Sequence, residues 1–187
     1  MATIREDNQP VLLVVDVQVG VMREAWEAPR IIRNVCLAVE KARARGIPVI
    51  WVQHAGKELV YGSPDWQLVP ELSPAEGEAR IYKQFNSSFE QTPLEETLSR
   101  LGATHIVLAG ASTNWCIRAT AYGALERGYD LTLIKDAHTT ETIVFDDGTK
   151  LEAAVIILDL NIAMKWLSYP GRTNTTEEAG KIEFAVH

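Results

Sequence analysis

The sequence predicts a three-layer, doubly wound α/β sheet of about six mostly parallel strands with helices on both faces. Short β-branched runs alternate with longer helical ones along the chain, the pattern of a parallel sheet with right-handed helical crossovers. The strand-like runs are apolar on both faces, as strands covered by helices on each side must be. A length of 187 residues with 47% apolar and 23% charged side chains is ordinary for one globular unit, which buries about 70% of its unfolded surface.

Val11–Val15 is a continuous apolar run ending at Asp16 and predicts the first strand. From about Arg30 to Arg45, apolar residues fall at Ile31, Ile32, Val35, Ala38, Val39 and Ala42. That spacing is one face of a helix, and Gly46 is placed to close it. Ile47–Val52 predicts a second strand with Pro48 at its entrance. Residues 54–78 contain Gly56, Gly62, Pro64, Pro70, Pro74 and Gly77, a long excursion of the kind that usually carries function. A short strand, Ala79 to Tyr82, leads to Lys83.

Thr92-Pro93-Leu94-Glu95 predicts a helix start, with Thr92 as cap, Pro93 in the first turn and Glu95 completing a capping box. That helix ends at Gly102. His105–Ala109 predicts a strand, Gly110–Thr113 a tight turn, and Asn114–Arg127 a helix closed by Gly128. Leu131–Ile134 predicts a strand ending at Asp136, Thr149–Leu160 a helix, and Ala163–Ser168 a last strand. The tail beyond Pro170 is polar and is expected to be loosely held. No linker or internal repeat divides the chain, so one domain is expected over 1–187, with its core at about 10–168 and a polar tail at 170–187.

Eighteen basic against twenty-five acidic side chains give a formal charge of −7. That sign argues against nucleic acid or an anionic membrane surface as the main partner. No apolar run approaches the roughly 20 residues of a membrane span, and MATIREDNQP carries no signal-peptide core. A cytoplasmic location is expected. Two cysteines, Cys36 and Cys116, are too few for a disulfide framework.

Open parallel sheets bind ligands at the carboxyl ends of their strands. Those ends carry Asp16, His54, Lys83, the Gly110–Cys116 turn and Asp136. Cys116 falls in the first turn of a helix, where backbone N–H groups favour an anion and lower a thiol pKa. Asp16 is suited to accept its proton, and Lys83 to hold both groups electrostatically. Taken singly, each has an ordinary reading: a small buried hydrophobe, a turn carboxylate and a surface ammonium.

Together the residues resemble a known family. Asp16 in Val15-Asp16-Val17-Gln18, Lys83 in Lys83-Gln84-Phe85-Asn86-Ser87-Ser88-Phe89, and Cys116 in Gly110-Ala111-Ser112-Thr113-Asn114-Trp115-Cys116-Ile117 recur in one order. Thr120-Ala121, Gly128-Tyr129 and Asp136-Ala137 extend the match. Over roughly residues 10–140 the chain is similar to the isochorismatase-like cysteine hydrolases, which include nicotinamidases and N-carbamoylsarcosine amidase. The resemblance implies an Asp16–Lys83–Cys116 triad that opens a small amide through a thioester. It also implies a cis peptide at Ala111–Ser112, which aims the Ser112 N–H, with that of Cys116, at a developing oxyanion.

Nicotinamidases of this family carry an Asp and several His for a metal near the end of the second strand. Here Trp51–Gly56 offers only His54, while His105, His138 and His187 fall at a strand start, a loop and the C-terminus. No metal and no cofactor are therefore expected. Family members that cleave an enol ether without the cysteine need no covalent step, so Cys116 favours an amidase; enol-ether hydrolysis is the alternative. Gln18, His54, Phe89 and Trp115 are the candidate substrate-binding residues, with Trp66 a further pocket candidate. The resemblance implies a homodimer or homotetramer, with Trp26 and the 54–78 excursion as candidate contacts. Cys36 is expected to be inert packing. A nucleotide-binding reading fails because Asp16-Val17-Gln18-Val19-Gly20 is not a glycine-rich phosphate turn. A thiol redox or binding protein on the same scaffold is the other alternative; it lacks a C-x-x-C.

Overall fold

A computed structural model describes residues 2–5 and 8–184. The first apolar run forms β1 (Pro10–Val15), every residue of it buried. Its side chains alternate between two cores: Val11, Leu13 and Val15 face one, Leu12 and Val14 the other. A strand buried on both sides belongs in the middle of a covered sheet, and β1 is central. It pairs in parallel with β2 (Val49–His54) on one side and β4 (His105–Ala111) on the other. β3 (Ala79–Lys83) extends the sheet beyond β2, and β5 (Asp130–Thr139) beyond β4. With β8 (Asn174–Glu177) beyond β5, all pairings among these strands are parallel, and the order is β3-β2-β1-β4-β5-β8. The order reverses between β1 and β4, and such a switch point opens a crevice at the strand ends.

One face is covered by α2 (Ala28–Ala44), which buries Ile31, Val35, Ala38, Val39 and Ala42 as its spacing requires. The other is covered by α3 (Leu94–Arg100), α4 (Arg118–Glu126) and α5 (Ala153–Trp166). A short α1 (Val19–Met22) follows β1, and a two-stranded hairpin of β6 (Ile143–Val144) and β7 (Lys150–Leu151) precedes α5. No helix among the described residues is long and apolar enough to cross a membrane.

Several expectations need correction. Ala163–Ser168 is not a strand: α5 runs to Trp166, because Ile156, Ile157, Leu160 and Met164 continue one buried helical face. The sixth strand is β8 (Asn174–Glu177), parallel to β5. The tail is thus held: Ala179, Ile182 and Phe184 lie in the α2-side core, and Asn174 Nδ2 donates to the carbonyls of Met164 in α5 and of Leu167 just after it, at 2.8 and 2.9 Å. Residues 185–187, with His187, lie outside the described residues.

β5 continues through Asp136 to Thr139, so His138 is a strand residue and not a loop one. Asp136 points away from the strand ends; its carboxylate accepts from Ala179 N–H at 2.8 Å and its carbonyl from Asn34. Glu95 forms no capping box, because it accepts the Tyr129 hydroxyl at 2.7 Å. Thr92 Oγ1 donates to Ser88 O at 2.5 Å and accepts the Leu94 N–H at 3.3 Å. The segment after β4 opens as a π-helical turn, Thr113–Ile117, before α4 begins. Gly110 lies inside β4 at φ +128°, where a Cβ would sit 1.9 Å from the Val15 carbonyl oxygen. Only glycine lets β4 approach β1 there.

Candidate active site

Three strand ends deliver the three expected side chains to one point. Asp16 leaves β1 with φ 54°, a left-handed backbone that Asp tolerates better than most residues, its N–H bonded to Val52 O at 2.9 Å. Lys83 closes β3 directly beside His54, its register partner on β2. Cys116 sits in the π-helical turn after β4, downstream of an Ala111–Ser112 peptide that is cis.

The Lys83 ammonium is the hub. Its Nζ donates to Asp16 Oδ2 at 2.6 Å and to Cys116 Sγ at 3.1 Å, and lies 3.2 Å from His54 Nδ1. Both members of the Asp16–Lys83 pair are essentially sealed, with side chains 2% and 0% exposed. The second Asp16 oxygen, Oδ1, is buried and has no hydrogen-bond partner among the described residues. The thiol has an acceptor in Asn86 Oδ1 at 3.9 Å. An ammonium donor makes His54 Nδ1 an acceptor, so this imidazole is neutral; burial first, and then Lys83, hold its pKa below the usual value.

The thiol pKa is not lowered as its helix position suggested. Burial, then the negative charge of Asp16, push it up to about 12 against the pull of Lys83. Cys116 therefore rests as a neutral thiol beside a carboxylate, and a thiol in that state becomes nucleophilic only when a neighbouring base takes its proton.

Asp16, His54 and Cys116 place an oxygen, a nitrogen and a sulfur within 4.8 Å of one another, a set able to ligate a metal. The Lys83 ammonium lies within 3.2 Å of Asp16 Oδ2, His54 Nδ1 and Cys116 Sγ. The expectation drawn from a single scattered histidine missed this convergence.

Beside Asp16 and Cys116 opens a cavity of about 660 Å³. Asp16, His54, Asn86, Ser112, Trp115 and Cys116 line its floor and walls. Val21 and Arg23 from the α1 segment, and Lys57, Glu58, Leu59 and Asp65 from the 54–78 excursion, complete it. Arg23 bridges to Asp65 at 2.5 Å across the mouth. Trp115 is 54% exposed, which makes it a wall and not core.

Two expected substrate residues are elsewhere. Gln18 is wholly buried: its Nε2 donates to His54 O and Trp66 O at 3.0 and 2.8 Å, and its Oε1 accepts the His54 N–H at 2.8 Å. Every atom of the amide head is committed to backbone, so Gln18 clasps β2 and the excursion instead of meeting a ligand. Phe89 packs in the core against Tyr129 at 6.2 Å, with the Arg127 guanidinium over its ring at 4.6 Å. Trp66 is likewise buried, between Tyr61 and Tyr82. Cys36 packs at the edge of the α2-side core, as expected.

With this geometry, residues 10–151 match the isochorismatase domain. The chain belongs to the isochorismatase family. The family match runs from β1 through β7 and leaves α5 and β8 beyond it. The chain is 34% identical over 139 residues to a streptothricin hydrolase of Streptomyces noursei, covering 71% of this chain and 55% of that protein. It is 30% identical over 139 residues to the ureidoacrylate amidohydrolase RutB of Klebsiella pneumoniae, covering 57% and 59%. It thus spans under two thirds of the length of these relatives. Among solved structures, an isochorismatase from Pseudomonas putida KT2440 superposes with a TM-score of 0.82 at 25% identity, covering 94% of this chain and 90% of that one.

Proposed function

We propose that this isochorismatase-family chain hydrolyses the C–N bond of a small-molecule amide through a thioester on Cys116, with Asp16 and Lys83 completing the catalytic triad. The observation that carries the reading is the state of Asp16. One of its oxygens is paired with the buried Lys83 ammonium and the other is buried without a partner beside the thiol. A desolvated carboxylate with one open oxygen is a proton acceptor awaiting a donor.

The sequence of events follows from those positions. Asp16 removes the Cys116 proton as sulfur attacks the carbonyl carbon. The carbonyl oxygen gains negative charge and is met by the N–H groups of Ser112 and Cys116, both at the cavity wall. Asp16 then gives its proton to the departing nitrogen, and the C–N bond breaks to leave the thioester. A water molecule next loses a proton to Asp16 and attacks the thioester, releasing acid and restoring the thiol. Throughout, Lys83 keeps the buried carboxylate and the transient sulfur charge compensated. The names of two relatives, a streptothricin hydrolase and a ureidoacrylate amidohydrolase, are in keeping with C–N hydrolysis.

The test is an ammonia-release screen over primary amides, carbamoyl and ureido compounds, paired with mass detection of ring-opened products for lactams. At least one compound should turn over with wild-type protein and none with Cys116→Ala. Turnover surviving in Cys116→Ala would end the covalent reading.

A further inference from the structure

The carboxyl end of β5 contributes no atom to the cavity lining, yet it holds the turn that carries the proposed oxyanion donors. His138 is wholly buried, with Nδ1 2.9 Å from Thr113 Oγ1 and Nε2 3.0 Å from Asn161 Oδ1. The orientation of Asn161 is set independently, because its Nδ2 donates to Lys135 O at 3.0 Å. Asn161 Oδ1 is then an acceptor, so His138 Nε2 carries the proton and Nδ1 accepts from the Thr113 hydroxyl. Two residues on, Thr140 Oγ1 donates to Asn114 Oδ1 at 2.6 Å. Thr113 and Asn114 immediately follow Ser112 and open the five-residue π-helical turn that contains Cys116.

We propose that His138, as the neutral Nε2–H tautomer, is a positioning residue that acts through Thr113 to fix the orientation of the Ser112 and Cys116 N–H groups. This rests on the reading of those groups as oxyanion donors. Apolar side chains of similar volume would fill the same space without the desolvation cost of burying an imidazole, a hydroxyl and an amide. Packing locates a turn, whereas directional hydrogen bonds also set the rotation of its peptide planes, and oxyanion stabilisation depends on that rotation. The chain of bonds runs from the Lys135 carbonyl through Asn161 and His138 to Thr113, so α5 and β5 together brace the turn. Thr139 and Thr140 extend the brace to the segment before α2: Thr139 Oγ1 donates to Trp26 O at 2.6 Å, and Trp26 N–H to Thr140 O at 2.8 Å.

The experiment compares wild-type protein with Thr113→Val, which keeps shape and removes the hydroxyl, and Thr113→Ser, which keeps the hydroxyl. In side-chain ¹⁵N spectra, wild-type His138 should be the neutral Nε2–H tautomer at pH 7. Thr113→Val should move its Nδ1 resonance and the backbone amide resonances of Ser112 and Cys116. On an amide found by the screen, Thr113→Val should lower kcat by about 10–100-fold with KM within about twofold. Alkylation of Cys116 by iodoacetamide, which uses no oxyanion hole, should stay within about twofold, and Thr113→Ser should keep wild-type kcat. An Nδ1–H or charged imidazole at pH 7 would overturn the proposal, as would unmoved Ser112 and Cys116 amides or an unchanged kcat in Thr113→Val. Equal losses of kcat and alkylation would also overturn it, because they mark damage to the nucleophile or general loosening. Should wild-type protein hydrolyse no amide, the fault would lie with the proposed function, and the spectra would still decide whether His138 orients the turn.

Discussion

Replacing Lys83 by methionine isolates the electrostatic core of the site. The ammonium lies 2.6 Å from Asp16 Oδ2 with both side chains almost completely sealed from water. At that distance the pair attraction is about 6 kcal/mol for an effective dielectric of about 20. Desolvation of both ions offsets much of this, so the net stabilisation by the pair is small. Removing one partner is different, since it leaves Asp16 charged, buried and uncompensated. The expected destabilisation is about 3–5 kcal/mol. Lys83→Met with Asp16→Asn removes both charges and should recover most of that loss. Urea unfolding of the two single variants and the double variant, analysed as a double-mutant cycle, measures the coupling directly. A Lys83→Met loss below about 1 kcal/mol, or strictly additive effects, would refute the account of a mutually dependent buried pair.

Three further outcomes follow from the same structure. Because Cys116 is held near 12 by burial and by Asp16, its iodoacetamide alkylation rate should still be climbing at pH 10; a plateau below pH 8 would show a preformed thiolate. His138 is held at about 4 by burial, below its ordinary 6.5, so the folded state resists its protonation and the unfolded state does not. Its contribution to stability is present above about pH 6.5 and is lost as pH falls toward 4, by about 3 kcal/mol in all; urea midpoints that His138→Gln renders no less pH-sensitive over that window would contradict this. Gly110→Ala should yield no soluble folded protein, since its Cβ would stand 1.9 Å from the Val15 carbonyl oxygen; a variant with a native circular dichroism spectrum and melting temperature would show that β1 and β4 separate easily.

How much of this was legible in the sequence depended on whether the signal was local. The Val11–Val15 run declared a central strand because both of its faces are apolar, and the structure buries both. Asp16, Lys83 and Cys116 each follow or end an apolar run, but taken singly each has an ordinary reading, and it is the resemblance to the isochorismatase-like cysteine hydrolases that joins them into one site. The strand Asn174–Glu177 escaped notice because an edge strand of polar residues has no apolar run to announce it. Ala163–Ser168 reads as a strand from the sequence because six residues cannot distinguish the end of a buried helix from a strand. Gln18 and Phe89 failed for a different reason: whether a side chain faces a cavity or a backbone carbonyl is settled by partners distant in the chain. For Gln18 those partners are His54 and Trp66. The cavity mouth formed by Arg23, Lys57, Glu58 and Asp65 was foreshadowed only by the length of the 54–78 excursion. The raised thiol pKa was hidden by the same limit, because a helix start is local whereas burial and the Asp16 charge are not.

The central claim is that Cys116 forms a covalent acyl intermediate, and acid-quenched single-turnover mass spectrometry tests it most directly. Wild-type protein mixed with a primary amide found by the screen should show a transient mass increase equal to the substrate less ammonia. That increment should map to the peptide containing Cys116 and be absent from Cys116→Ala. Full turnover with no adduct at any quench time, together with activity retained by Cys116→Ala, would contradict it.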